Sequence, residues 1–507
     1  MRVIFISIII AQVLLICCPN RLFGSSAALR DKAQRDDVND NNQPHRVHDV
    51  SFEISLDSCI NTEPHLLIYE NNFNTSPLQA DRREILPSSR SGHKFVFRLP
   101  KQSKPMYFSL IYYLDLNPVF ILDTYHFEPG DDIQIGVRKN VINRQFDVSF
   151  KGNNYAKYLC KYNLQKATLN FQKEIKLLPK NHYNDFEITA MYIKMQEAEV
   201  NKYLSQITVY STNLLKIDIA SKLLSNFLKA WKFRFDNAKS ANDVVAQKQS
   251  LIEYEAFLNY PSHRYLAQNI HYASRYYAPF ILQKIQMDFY VNNREFKSNN
   301  GLSAIVRISN TSLRDKIITL FIDKIKTLDM FEDVFTQALK IVKKEDCLNK
   351  LLQFKQVTVG HKAFDFALEN EKGDTINLDD FKGKTLFIDF WFTGCGACQN
   401  YYLDVVTDVE EIFKDDPNIV FITICTDKEK AKWLGSLTAG KNTSNKAINL
   451  YTNGEGNAHE IIKFYNITGY PRPMIIDRKG QLFNIKNSDL RNKEGLIREL
   501  KEAKKAS

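Results

Sequence analysis

Leu386-Phe387-Ile388-Asp389-Phe390-Trp391-Phe392-Thr393-Gly394-Cys395-Gly396-Ala397-Cys398 is the stretch on which the fold of this chain turns. It is an apolar run holding one carboxyl and ending in Cys-x-x-Cys. Thr385 to Phe392 has the length and apolarity of a buried strand, and Cys398 to Phe413 the pattern of a helix, so the cysteines stand where strand gives way to helix. A thiolate there meets unpaired backbone N–H groups and the positive end of the helix dipole. Cys395 is therefore expected to have a lowered pKa and to be the attacking sulfur. Cys398, three residues on, shares its face of the helix and is the resolving thiol. Gly396 and Ala397 are small and uncharged, which lets a substrate disulfide approach.

The same spacing serves zinc, but a zinc site wants a second Cys or His pair, and the nearest downstream histidine is His459. No metal and no cofactor are expected. Asp389 stands six residues before Cys395 inside the apolar strand, where an unpaired carboxylate is costly to bury. Burial should raise its pKa towards the working range and make it a base for the Cys398 proton. The competing reading is a structural carboxylate satisfied by backbone donors.

Outward from this centre, strands alternate with helices from about Val357 to Ser507: a strand at Asn418 to Cys425, a helix from about Lys428, a strand at Met474 to Ile476, a partner at Gln481 to Ile485, and a closing helix from about Asn492 to Ala503. Residues 151–356 carry helical periods, as in Leu223 to Trp231, and their aromatic stripes read as core. Residues 49–150 read as a small β domain: Val50 to Leu56 has period two, Phe95 to Leu99 has it in part, and Glu128 to Asp132 marks a turn. The fold class expected is multidomain, with an N-terminal small β domain, a helical middle domain and a C-terminal α/β domain over 357–507.

Residues 29–48 are polar and read as a flexible leader. Residues 1–28 read as a secretory signal: Met1-Arg2 is positive, Val3 to Ile16 is apolar, and Ser26-Ala27-Ala28 offers small residues for cleavage. The run is shorter than the roughly 20 apolar residues of a membrane span. A lipid anchor on Cys17 or Cys18 is the rival reading, against which stands the bulk of the preceding residue. Export places the protein in the periplasm or cell envelope. Of the remaining cysteines Cys59, Cys160, Cys347 and Cys425 are isolated, and Cys425, closing an apolar run, reads as a small buried hydrophobe. The formal charge of +10, from 68 basic against 58 acidic residues, is scattered without a basic stripe, so nucleic acid is not an expected partner.

Asp389 to Cys398 resembles the active-site segment of thioredoxins, including an acid six residues ahead of the first cysteine. Val359 to Phe366 and Asn377 to Lys384 are similar to the start of TlpA/ResA-like exported oxidoreductases, and Gly469 to Gly480 to the segment that faces the Cys-x-x-Cys in that family. The resemblance covers about 357–507 and implies a thioredoxin-like fold with a cis peptide at Pro471. It also implies substrate contacts from Trp391, Tyr470 and Pro471, with Tyr470 pairing to an extended segment. The activity implied is reduction of protein disulfides through Cys395, Cys398 and Asp389, fed by a membrane thiol donor. Gly394 and Ala397 depart from the tryptophan and proline usual at their positions, which bears on redox potential and substrate fit. A disulfide oxidase or isomerase on the same cysteines is the alternative, and a binding or scaffold protein with a passenger redox fold is the reading from another class. A peroxidase fits less well, because Phe392 stands where Thr or Ser is expected and a second cysteine follows closely. Phe127 to Asp131 and Lys151 to Asn154 resemble uncharacterised modules fused ahead of such domains, and no catalytic residue follows from that likeness.

Overall fold

The structure, a computed structural model, describes residues 48–69, 73, 82–114, 117–140, 146–176, 183–260, 268–294, 296, 298–325, 331–465, 467 and 469–506. The signal, Cys17, Cys18 and the leader up to residue 47 lie outside the described residues. The chain divides into two compact units, residues 1–70 with 83–270 and residues 71–82 with 271–507.

In the first unit, β1 (His48–Leu56), β2 (Pro64–Tyr69), β3 (Arg82–Ile85), β4 (Ser89–Ser91), β5 (Lys94–Gln102), β6 (Met106–Leu114), β7 (Asn117–Phe127), β8 (Asp132–Lys139) and β9 (Phe146–Gly152) form two sheets, ordered β4-β5-β1-β8-β9 and β3-β2-β6-β7. The period-two pattern of β1 buries Val50, Phe52, Ile54 and Leu56 on one face. Those residues share a core with Phe108 and Phe127 of the second sheet and with Tyr158 of helix Tyr155–Ile175. The Glu128 to Asp132 turn also clamps two helices. The Lys157 ammonium, almost fully buried, lies 3.0 Å from Glu128 and 2.7 Å from Asp131, and Ser211 donates to Glu128 at 2.5 Å. His126 bonds Ser211 at 2.7 Å, and burial pushes its imidazole down to about 3, so it is neutral. In helix Val209–Ser240 the aromatic stripe is core: Trp231 is fully buried, stacks on Phe235 and donates its indole N–H to Ser250 O at 2.6 Å.

Helices Tyr155–Ile175 to Val244–Leu258 fall in the first unit and Tyr277–Val291 to Glu345–Gln356 in the second. The helical stretch 151–356 is thus divided between the units, its first helix joining the β core through Tyr158 while Ala156, Cys160 and Leu164 pack with Val200, Leu215 and Ile219. Cys59, Cys160, Cys347 and Cys425 are free thiols, the last three buried.

The C-terminal sheet of the second unit comprises β10 (Ala367–Asn370), β11 (Thr375–Asn377), β12 (Thr385–Trp391), β13 (Ile419–Cys425), β14 (Ile448–Tyr451), β15 (Arg472–Ile476) and β16 (Leu482–Asn484), in the order β11-β10-β14-β13-β12-β15-β16. β12, β13 and β14 run parallel, while β15 is antiparallel to β12 and β16 to β15. All seven residues of β12 are buried, as its unbroken apolar run requires of a strand covered on both faces. Leu386, Ile388 and Phe390 enter one core with Ile422, Ile424 and Met474. Phe387 enters the other, with Tyr401, Val409, Leu496 and Leu500. Asp389, an even number of residues from Phe387, shares that second face. Among the described residues no helix is long and apolar enough to cross a membrane.

Candidate active site

β12 ends at Trp391, and after the link Phe392 to Gly394 the helix Gly396–Tyr401 starts, capped by Cys395. Gly394 has φ +89, the left-handed region that a tryptophan there would occupy only with strain. Cys395 and Cys398 are joined by a disulfide. The Cys395 Sγ accepts the Cys398 N–H at 3.1 Å, so an orphan donor of the first helical turn already points at the sulfur that would carry negative charge. Cys395 is 6% exposed and Cys398 1%, while Gly396 and Ala397 are open to solvent. The sulfur expected to attack is the more accessible of the two.

Asp427 was not foreseen. Cys425 pairs with Trp391 in the parallel ladder, so the segments leaving β12 and β13 emerge at the same edge. There the nearly buried Asp427 carboxylate accepts the Thr393 N–H at 3.1 Å and also the Thr393 hydroxyl, anchoring the link just ahead of Cys395. The available signal was a carboxyl two residues past a strand parallel to β12.

Trp391, expected to touch substrate, is fully buried and donates its indole N–H to Thr423 at 3.2 Å. It lies with Cys395, Cys398, Cys425, Trp433 and Tyr451 in one cluster and backs the disulfide, because the alternation along β12 turns it inward. Cys425 is buried there, and its thiol is pushed up by burial.

Asp389 is 5% exposed, and among the described residues its Oδ1 has no hydrogen-bond partner. Burial pushes its carboxyl up to about 8, against the Arg491 guanidinium and the backbone N–H groups of Arg472 and Phe390, which favour the charged form. Backbone donors therefore act on it without satisfying it. The carboxyl can take up or release a proton near neutrality.

The Tyr470–Pro471 peptide is cis. Tyr470 packs against the cluster that holds both cysteines, its ring edge-on to Phe392 at 5.4 Å and its hydroxyl donating to Asn457 at 2.6 Å. Phe392 is 37% exposed, so these two rings form an apolar rim beside the disulfide. Arg491 donates to the Pro471 carbonyl. Pro473 lies opposite Asp389 in the β12–β15 ladder. The preceding N–H, that of Arg472, acts on Asp389 and so points towards β12, and alternation turns the Pro473 nitrogen outward. Among the described residues β16 pairs with β15 at Ile475 and Ile476 and not at Pro473, so the proline removes no ladder bond.

A mixed sheet whose central parallel strand delivers a cystine to a helix N-terminus, with a cis-proline turn on the neighbouring strand, defines a thioredoxin-like redox domain. Residues 359–485 match the AhpC/TSA family. Thioredoxin-like protein YneN of Bacillus subtilis is 25% identical over 135 residues, 27% of this chain and 75% of the relative. The thiol-disulfide oxidoreductase ResA of Bacillus thuringiensis is 25% identical over 127 residues, 25% of this chain and 68% of the relative. Among solved structures, the thioredoxin domain of a thiol-disulfide oxidoreductase from Bacteroides vulgatus aligns at 21% identity with a TM-score of 0.25, covering 29% of this chain and 96% of that one. The C-terminal domain is thus similar to TlpA/ResA-like thiol-disulfide oxidoreductases.

Proposed function

We propose that the chain is an exported enzyme that reduces protein disulfides through Cys395 and Cys398. The observation that carries this reading is a nearly buried cystine at a helix N-terminus with an unsatisfied carboxyl, Asp389, two residues up the same strand from Trp391, which backs that cystine. The Cys395 thiolate attacks one sulfur of a substrate disulfide, forming a mixed disulfide and releasing the other sulfur as a thiolate that takes a proton. Asp389 accepts the Cys398 proton. The Cys398 sulfur then attacks the Cys395 sulfur, the bond to substrate breaks, and two electrons have passed to the substrate. The product is the Cys395–Cys398 disulfide, which a thiol donor at the membrane reduces for the next cycle. Tyr470 and Pro471 meet an extended substrate segment, and the rim of Phe392 and Tyr470 favours apolar neighbours of its cysteine. The apolar run Val3 to Ile16 supports export to the periplasm or envelope. Residues 49–356 choose the substrate or place the enzyme.

The test is a pair of variants with dithiothreitol as donor. Cys395→Ser should lose turnover, and Cys398→Ser should accumulate mixed disulfides in non-reducing gels, whose partners mass spectrometry identifies. Wild-type turnover by Cys395→Ser would sink the mechanism. The equilibrium with glutathione separates a reductase from an oxidase on the same cysteines, through the reduction potential.

A further inference from the structure

Arg491 sits between the short helix Asn487–Leu490 and the closing helix Lys493–Lys505, and its backbone is held on both sides. Leu490 is fully buried and its carbonyl accepts the Tyr401 hydroxyl at 2.7 Å. On the other side Asn492 caps the closing helix by accepting the Gly495 N–H at 2.7 Å, and a Cβ on Gly495 would lie 2.0 Å from the Asp489 carbonyl oxygen, so the two helices abut too closely for any other residue. From this fixed junction the guanidinium donates to the Pro471 carbonyl. Pro471 immediately precedes β15, whose Arg472 and Pro473 lie opposite Phe390 and Asp389.

We propose that Arg491 is a positioning residue of the exchange site, one guanidinium holding the Pro471 turn in place and setting a positive charge beside the strand end that carries Asp389. Burial acts to keep the Asp389 proton on, and the Arg491 charge opposes it. The other groups facing Asp389 do not replace that charge. Tyr401 of helix Gly396–Tyr401 is held protonated by burial, and Arg472 of β15 acts on Asp389 through its backbone N–H. The half-buried Arg472 guanidinium is directed to Asn487 at 3.4 Å.

The inference rests on Asp389 as the acceptor of the Cys398 proton, but part of its test does not. In the full chain, the Asp389 carboxyl is titrated by 13C NMR, its resonance assigned by loss in Asp389→Asn, and KM and kcat are measured on a peptide disulfide. Arg491→Gln removes charge and fork together. It should move the Asp389 midpoint alkaline by roughly half to one pH unit, less at high salt, and raise KM several-fold. Arg491→Lys keeps the charge but not the planar fork, so the midpoint should stay near that of the wild type while KM still rises. An unmoved midpoint in folded Arg491→Gln overturns the proposal. If that variant does not fold, a wild-type KM in Arg491→Lys overturns it. A wild-type protein inert on disulfides, whose Asp389 midpoint still moves with Arg491, would uphold the placement and overturn the exchange reading.

Discussion

Asp389 of β12 lies directly opposite Pro473 of β15, two residues past the Tyr470–Pro471 peptide. The pairing brings the proline segment alongside the strand that delivers the cystine. It also leaves the carboxyl among residues that offer its Oδ1 no hydrogen bond. A buried carboxyl without a full set of partners weakens the folded state whenever it is charged.

That weakness has a pH signature. The folded carboxyl keeps its proton up to about 8, whereas an exposed Asp ordinarily loses it near 3.8, so the unfolded chain binds fewer protons between those limits. The Asp389 contribution to stability must therefore fall as pH rises from about 4 to about 8 and level off above. Asp389→Asn, which cannot ionise, should be more stable than wild type by about 4 kcal/mol at pH 7, with the gain vanishing near pH 4. Urea unfolding at a series of pH values measures this, and an equal gain at pH 4 and pH 7 would contradict it. The same variant should resolve mixed disulfides at least roughly a hundred-fold more slowly at neutral pH.

The rim of Phe392 and Tyr470 should govern affinity more than chemistry. Tyr470→Ala removes the edge-on ring contact and the bond to Asn457. Steady-state kinetics on a peptide disulfide should show KM raised up to roughly ten-fold with kcat within about two-fold, in line with an aromatic contact of about 0.5–1.5 kcal/mol. A fall in kcat at unchanged KM would place Tyr470 in the chemical step instead.

In the first unit, Lys157 is the cation between Glu128 and Asp131. Lys157→Met fills similar space but leaves two buried carboxylates without their cation, which should cost about 3–5 kcal/mol. Chemical denaturation followed by circular dichroism checks it, and a loss under about 1 kcal/mol would show that the surrounding hydroxyls suffice.

The short-range features of the site were legible in the sequence. The apolar run into Cys-x-x-Cys placed the cystine between strand and helix, and one carboxyl in a strand buried on both faces pointed to Asp389, because periodicity and burial cost are local properties. The alternation in β1 and the aromatic stripe around Trp231 were readable for the same reason. The direction of Trp391 could not be read there, because it depends on which face of β12 the helices cover. The division of the stretch 151–356 depends on which tertiary contacts its successive helices make. The Asp427 bond to Thr393 links residues separated by 34 positions and the Arg491 bond to Pro471 spans 20. Sequence by itself marked which groups are candidates for the chemistry and that the chain buries them. Tertiary structure alone decided which distant side chains hold them in place, because a hydrogen bond between such residues exists only once strand register and helix packing have fixed both ends.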